Sequence, residues 1–215
     1  MLIVIYLLYV KLSETIHINR LLGGRHLFLL NKAEKSLADI LLAEPVPRAV
    51  VMVGAYAPSA RFIKLARDAG LDALFINVSF VGSEPLAREL GAEYDGVIVT
   101  QVVPHPEDRS LPLVNNYQKD METYALGKSP SFGSLEGYIA AEIFIKALSR
   151  LESPPSRENI IDALEDLGEF SIGSGHVLRF GENNHQASHR VWPTVLRNGE
   201  FVPFEWSDIS SLLGQ

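Results

Sequence analysis

Apolar residues recur along this chain in two rhythms. Short unbroken runs, Ala49–Val53 (AVVMV), Leu74–Val78 (LFINV) and Gly96–Val103 (GVIVTQVV), are separated by segments in which apolar side chains return every three or four positions. The first pattern predicts strands covered on both faces, the second amphipathic helices. A helix is expected over Ser59–Ala69, with Ser59 as its cap, Phe62, Ile63, Ala66 and Ala69 as its apolar stripe, and Gly70 just past its end. Ser83-Glu84-Pro85 opens the next helix with a proline in its first turn, and Gly91 closes it. Pro104 stops the third strand. Strand, helix, strand, helix, strand at this spacing predicts a right-handed parallel βαβαβ unit, hence an α/β fold.

The flanks are patterned differently. Asn31–Glu34 (NKAE) has the form of an N-terminal capping box, and Leu37, Ile40 and Leu41 follow at helical spacing up to Pro45. Met1–Val10 (MLIVIYLLYV) carries no charge before Lys11. It is about half the run of roughly 20 residues needed to cross a bilayer. It also lacks the basic start and small cleavage-site residues of a secretory signal. It reads as a buried strand, or as the remnant of a longer export or anchor segment. Gly23-Gly24 marks a turn within a weakly patterned stretch. Beyond Pro104 three helices follow. They are Ser110–Tyr124, with Leu111, Val114, Tyr117, Met121 and Tyr124 on one side; Ser134–Leu151, apolar around most of its circumference; and Ser156–Leu167, closed by Gly168. The middle one is expected to be packed on several sides. His176–Phe180, Arg190–Leu196 and Glu200–Phe204 read as strands, and Asn198-Gly199 is a type I′ hairpin signal.

Composition narrows the class. The 215 residues are 47% hydrophobic and 21% charged, with a net charge of −7. Such a chain is too apolar to be disordered and too charged to be a polytopic membrane protein. Its acidic balance argues against nucleic acid as a partner, because phosphate binding needs a basic face. The absence of cysteine removes disulfides, thiolate metal sites and cysteine nucleophiles together. No glycine-rich phosphate loop opens a helix after a strand, and neither H-E-x-x-H nor G-x-S-x-G occurs. His176, His185 and His189 lie in polar, turn-like surroundings and read as surface histidines rather than metal ligands. Glu107-Asp108 and Glu165-Asp166 read as solvated neighbours, and Asn77-Val78-Ser79 matches a glycosylation sequon but sits at a strand end. No cofactor, metal or catalytic residue is expected.

What remains is the carboxyl edge of the predicted parallel sheet, where open α/β folds place their ligands. Three loops face it, and they offer Tyr56, Ala57, Ser79, Phe80 and Gln101, with Asn77 and Thr100 beside them. One aromatic wall with a few hydrogen-bonding groups suits a small organic ligand. The helix starts near Ser59 and Ser83 point at the same edge and favour a negative group there. The plainer alternative is that Tyr56 and Phe80 only cover the sheet edge.

These residues carry a resemblance. The run AVVMVGAYAPSARFIKLARDAGL, then FINVSFVGSEPLARELG, GVIVTQVVPHPEDRSLPLVNNYQKDM, SLEGYIAAEIFIKAL and the ending FGENNHQASHRVWPTVLRNGEFVPF resemble the substrate-binding proteins of branched-chain amino acid ABC transporters. Those are type 1 periplasmic binding proteins, and the likeness runs from about Asn31 to about Phe204. It implies two Rossmann-like α/β lobes joined by hinge crossings, with solute closed between them. In that scheme residues 1–30 are an atypical N-terminal segment and 31–104 the α/β part of the second lobe. Residues 105–172 are the helical part of the first lobe, 173–206 the strands returning to the second, and 207–215 a tail. Most of the first lobe's own sheet has no counterpart here. Tyr56 is similar to the family's aromatic residue after the first of these strands. Ser79 stands where members that bind aliphatic amino acids carry a glutamate for the ligand ammonium.

The resemblance implies a non-enzymatic solute-binding component of an ABC importer, located in the periplasm and meeting an ABC permease. Its solute would be a branched-chain amino acid or a related small amide or carboxylate. A serine in place of the glutamate compensates a buried ammonium poorly and leaves amides, short carboxylates and aromatic acids open. Two other readings stand beside it. One is a ligand-sensing or interaction module of a signalling protein with the same fold. The other is a small α/β enzyme, which requires a catalytic pair near Tyr56, Ser79 and His105. Without the first lobe's sheet, the apolar helix Ser134–Leu151 is expected to expose a patch open to self-association, unless Met1–Val10 or a second chain covers it.

Overall fold

The computed structural model describes residues 3–7, 27–28, 37, 40–43 and 45–212. In chain order the strands are β1 (Ile3–Leu7), β2 (Leu27–Phe28), β3 (Ala49–Val53), β4 (Leu74–Val78), β5 (Ile98–Gln101), β6 (Glu169–Phe170), β7 (Leu178–Arg179), β8 (Trp192–Arg197) and β9 (Glu200–Pro203). The helices are α1 (Tyr56–Asp68), α2 (Ser83–Leu90), α3 (Pro112–Tyr124), α4 (Phe132–Leu148) and α5 (Arg157–Glu165). They form two compact units: Met1–Gln101 with Trp192–Gln215, and Val102–Val191.

The first unit is built on a sheet in the order β2-β1-β3-β4-β5-β8-β9. Strands β1 to β5 pair in parallel, and β8 and β9 add antiparallel to β5. The predicted βαβαβ unit is present, with β3 and β4 at the expected residues. In the ladder Met52 pairs with Asn77 and Asn77 with Val99. One face carries Phe75, which meets Phe62 of α1 edge-on at 6.2 Å between ring centroids. The opposite face carries Ile98, Val195 and Phe204, with Ile76 and Val202 packed against them. Helix α1 ends as expected at Gly70, whose N–H donates to the Arg67 carbonyl while that of Leu71 donates to Ala66. The β8–β9 turn has positive φ at both Asn198 (52°) and Gly199 (83°), which is the type I′ geometry the dipeptide predicted.

Some expectations shift. Ser59 does not cap α1. The helix begins three residues earlier, at Tyr56 after Ala55, and Ser59 is buried in its first turn. The connection is two small residues, Gly54 buried and Ala55 exposed, and it leaves room for the chain to turn into the helix that early. Of the apolar stripe Leu37, Ile40 and Leu41, the first two are buried and Leu41 is exposed. The Asn31–Glu34 capping box and the Gly23-Gly24 turn lie outside the described residues. Within the uncharged N-terminal run, Ile3–Leu7 is a strand, aligned in parallel with β3.

The second unit is mostly helical. Tyr117 of α3 is buried and its hydroxyl joins Ser134 at 2.6 Å while accepting from the Ser131 N–H. Ser131 and Ser134 cap α4 reciprocally. Tyr138 of α4 stacks edge-on against Tyr117 and donates to Asp120, which holds its phenol proton well above the usual range, burial being the larger cause and the carboxylate the second. A separate core gathers Ala147, Ala163, Leu167, Phe170 and Leu178. That core explains the boundary. Residues 173–191, expected to return to the second lobe with β8, group with the helices, because Leu178 is anchored beside Phe170 and only Trp192 onward joins the large sheet.

Helix α4 is not packed on several sides as its composition alone predicts, and it exposes the apolar patch expected where the first lobe's sheet is missing. Among the described helices it is the most apolar, yet Phe132, Leu135 and Ala147 are its only buried residues, while Phe144 is 45% and Ile145 61% exposed. Among the described residues the second unit has no sheet beyond the two-residue pair β6–β7 to lie under it. A contiguous apolar face in water drives association. The chain alone is therefore expected to bind anilinonaphthalene sulfonate and to elute above its 23.8 kDa mass in size-exclusion chromatography. Phe144→Ser combined with Ile145→Lys is expected to reduce both signals, and a dye-silent monomer would contradict the reading.

Candidate functional site

Parallel pairing in register brings the carboxyl ends of β3, β4 and β5 to one edge of the first unit. Each strand then turns differently. After Val53 the chain enters α1 through Gly54-Ala55, which sets Tyr56 at the first helical position and Ala57 at the second, both exposed. After Val78 it makes a short 3₁₀ turn, Ser79–Val81, before Gly82 leads into α2. Val81 is buried, Ser79 half-buried, and Phe80 is 74% exposed.

Neither helix start has a side-chain cap, the capping positions being Ala55 and Gly82. Each has a proline at its third position, Pro58 and Pro85, which removes a donor that would otherwise need a partner. Two positive helix ends therefore face this edge. The segments 54–58, 78–83 and 98–103 contain no Asp, Glu, Lys, Arg or His. The loops themselves are thus neutral in their side chains and the two helix starts positive through their backbone, with the Glu84 carboxylate standing in the first turn of α2; such loops suit a carbonyl or amide oxygen next to an apolar or aromatic body.

Gln101 sits otherwise than its neighbours in the prediction. Tyr56, Ala57, Ser79 and Phe80 lie at the edge with solvent access, whereas Gln101 is 1% exposed. Its side-chain amide donates to Ser83 Oγ at 2.7 Å and to Thr194 Oγ1 at 3.3 Å. Asn77 is also not at the surface. It lies within β4 on the face covered by α1, fully buried, and neither its side-chain oxygen nor its nitrogen has a hydrogen-bond partner. Ser59 Oγ, one helical turn before Phe62, is buried and unpartnered too. Burial also removes Asn77 as a glycan acceptor. Thr100 is half-buried and donates to the Asn77 carbonyl.

Sequence reasoning missed Ser83 and Thr194 as partners of Gln101. The separations of 18 and 93 residues leave no local signal for either. His105, considered for a catalytic pair, belongs to the second unit and packs edge-on against Phe132. His176 bridges Ser174 and Ser188, and His185 pairs with Glu165 at 2.7 Å. Among the described residues no three metal-ligating side chains converge. No described helix is long and apolar enough to cross a membrane.

Comparison with known proteins agrees with the fold. A family model described as periplasmic binding protein matches residues 29–200. No curated protein matches. Among solved structures, one described as a possible leucine/isoleucine/valine-binding protein from Rhodopirellula baltica SH 1 is 36% identical, with a TM-score of 0.84 over 97% of this chain and 60% of that one. A leucine binding protein from Thermotoga maritima MSB8 is 21% identical, with a TM-score of 0.72 over 95% of this chain and 60% of that one. A branched-chain amino acid transporter substrate binding protein from Streptococcus pneumoniae, in complex with isoleucine, is 16% identical, with a TM-score of 0.66 over 94% and 60%. The chain thus spans about 60% of the length of these solved structures.

The turn that presents Ser79 and Phe80 depends on Gly82. Its φ is +78°, and a Cβ there would lie 3.1 Å from Pro85 Cγ. Gly82→Ala is expected to destabilise the first unit by about 1–2 kcal/mol, the cost of a left-handed alanine. In urea titration followed by a probe in that unit, the midpoint should fall while the slope stays unchanged.

Proposed function

The chain belongs to the periplasmic binding protein family, and from that premise we propose that it binds a small solute at the carboxyl edge of its parallel sheet without transforming it. The observation that carries the reading is the edge itself: Tyr56 exposed at the start of α1 and Phe80 exposed on the turn before α2, each next in sequence to a small residue, Ala57 and Ser79, with both helix starts uncapped and no ionic side chain on the loops. The aromatic side chains supply an apolar wall. The Ser79 hydroxyl and the backbone donors orient a carboxylate or amide oxygen. Gln101 supports the arrangement from below. The names of the solved relatives point to branched-chain amino acids. The neutral Ser79 broadens the class to the corresponding amides and short carboxylates, since an ammonium receives no compensating carboxylate from these loops.

In this proposal the protein serves an ABC importer in the periplasm, delivering its solute to a membrane permease, and is not an enzyme. Solute binding by a sheet edge needs no nucleophile, no perturbed acid and no metal, and the side chains placed at this edge are of the kinds that hold a ligand.

Isothermal titration with leucine, isoleucine, valine, their amides, short branched carboxylates and aromatic acids tests the proposal. At least one class is expected to bind, with amides or carboxylates preferred over the amino acids. Tyr56→Ala and Phe80→Ala are each expected to weaken that affinity by roughly tenfold, the worth of one aromatic contact. Both side chains are solvent-facing, so thermal stability should stay within about a degree of wild type, as for surface substitutions generally. Silence across the whole panel would overturn the reading.

A further inference from the structure

Two carboxamides lie on the α1–α2 face of the sheet, one strand apart. Asn77 makes no side-chain hydrogen bond. Gln101 uses both N–H groups of its amide, one on Ser83 Oγ at 2.7 Å and one on Thr194 Oγ1 at 3.3 Å. Burial on this face therefore does not in itself recruit partners, and the Gln101 contacts are specific. Ser83 and Thr194 are as buried as Gln101, at 3% and 2% exposure, so water does not substitute for either bond. Thr194 Oγ1 in turn donates to the Val99 carbonyl at 2.9 Å, which fixes its lone pairs toward Gln101.

The placement of these partners gives the contact its meaning. Ser83 is the first residue of α2 and follows Gly82 directly, so its position sets where the turn Ser79–Val81 points. Thr194 belongs to β8. Gln101 is the last residue of β5 and of the first stretch of its unit, and its ladder partner is Trp192, where the chain comes back. A single side chain thus joins the solute-facing turn to both strands through which the chain leaves and re-enters the first unit.

We propose that Gln101 is a positioning residue: its buried amide holds the Ser79–Gly82 turn in register with β5 and β8, so that the turn and the two chain crossings move as one. This deepens the solute-binding reading and rests on it for its functional meaning, though the mechanical coupling exists without solute. A leucine of similar size keeps the packing but leaves Ser83 Oγ without its donor. A glutamate keeps the shape and accepts where the amide donated.

Hydrogen–deuterium exchange of the full chain, read by mass spectrometry without solute, tests the coupling. Gln101→Leu is expected to speed exchange about fivefold or more in peptides covering 79–86 and 192–196 together, the equivalent of losing about one buried hydrogen bond. Peptides covering α1 and the second unit should stay unchanged. Ser83→Ala is expected to release only the first segment and Thr194→Val only the second, and these two variants decide the matter if Gln101→Leu does not fold. Unchanged exchange over 79–86, or a rise spread evenly through the unit, overturns the proposal. A calorimetric arm uses isoleucine and its amide as probes, where Gln101→Leu and Gln101→Glu should each weaken any wild-type binding by about tenfold. If the wild type binds neither probe nor any member of the wider panel, the solute reading fails while the exchange data still judge Gln101.

Discussion

The parallel register of β3, β4 and β5 is the constraint on which the rest depends. Because Met52, Asn77 and Val99 lie side by side across three strands, the carboxyl ends of those strands finish level, and every candidate contact residue follows within a few positions. Slipping one strand by a single residue would exchange its two faces, moving Phe75 away from Phe62 and turning Asn77 toward the opposite layer. Apolar coverage on both faces makes such a slip costly. The edge is precise because the core behind it cannot tolerate another alignment.

At that edge the chain uses backbone rather than charge. Prolines at the third position of both helices and the absence of side-chain caps leave the backbone donors of both helix starts open, and at α2 the Glu84 carboxylate shares the first turn with them. Dipoles held by rigid elements select for oxygen-bearing groups without the desolvation penalty of a buried ion. In the proposed site, Tyr56 and Phe80 would give breadth, since a flat apolar wall accepts side chains of several shapes. Selectivity in such a site rests on which polar end fits, more than on the body of the solute.

The sheet was legible in the sequence because its strands are uninterrupted apolar runs bounded by Gly and Pro. Ala49–Val53 and Leu74–Val78 appear in the structure at their predicted residues, and the Asn-Gly turn has its predicted geometry. The exposed part of the candidate site was legible too, because the topological rule names the loops. Gln101 was found as a residue but not in its role: a glutamine at a strand end looks the same whether it faces solvent or a serine 18 positions away. For helix α4 two expectations compete, cover on several sides from its composition and an exposed patch from the missing sheet, and the second holds. Its composition demands cover, but composition does not supply the covering element, and the described second unit leaves Phe144 and Ile145 in water. The grouping of 173–191 with the helices rests on one long-range contact set around Phe170 and Leu178, which no local sequence pattern announces.

The adjacency of Gln101 and Trp192 has a consequence for how the chain folds. Strands β5 and β8 form an antiparallel hairpin whose loop is the whole of Val102–Val191, 90 residues. Closing a flexible loop of that length costs about 3 kcal/mol more than closing a two-residue turn. A loop that has already collapsed into its own core brings its ends together in advance and lifts most of that penalty. The helical insert is thus favoured to fold first, with the last two strands of the large sheet docking late. Destabilising the insert should then slow assembly of a sheet whose strands it never joins.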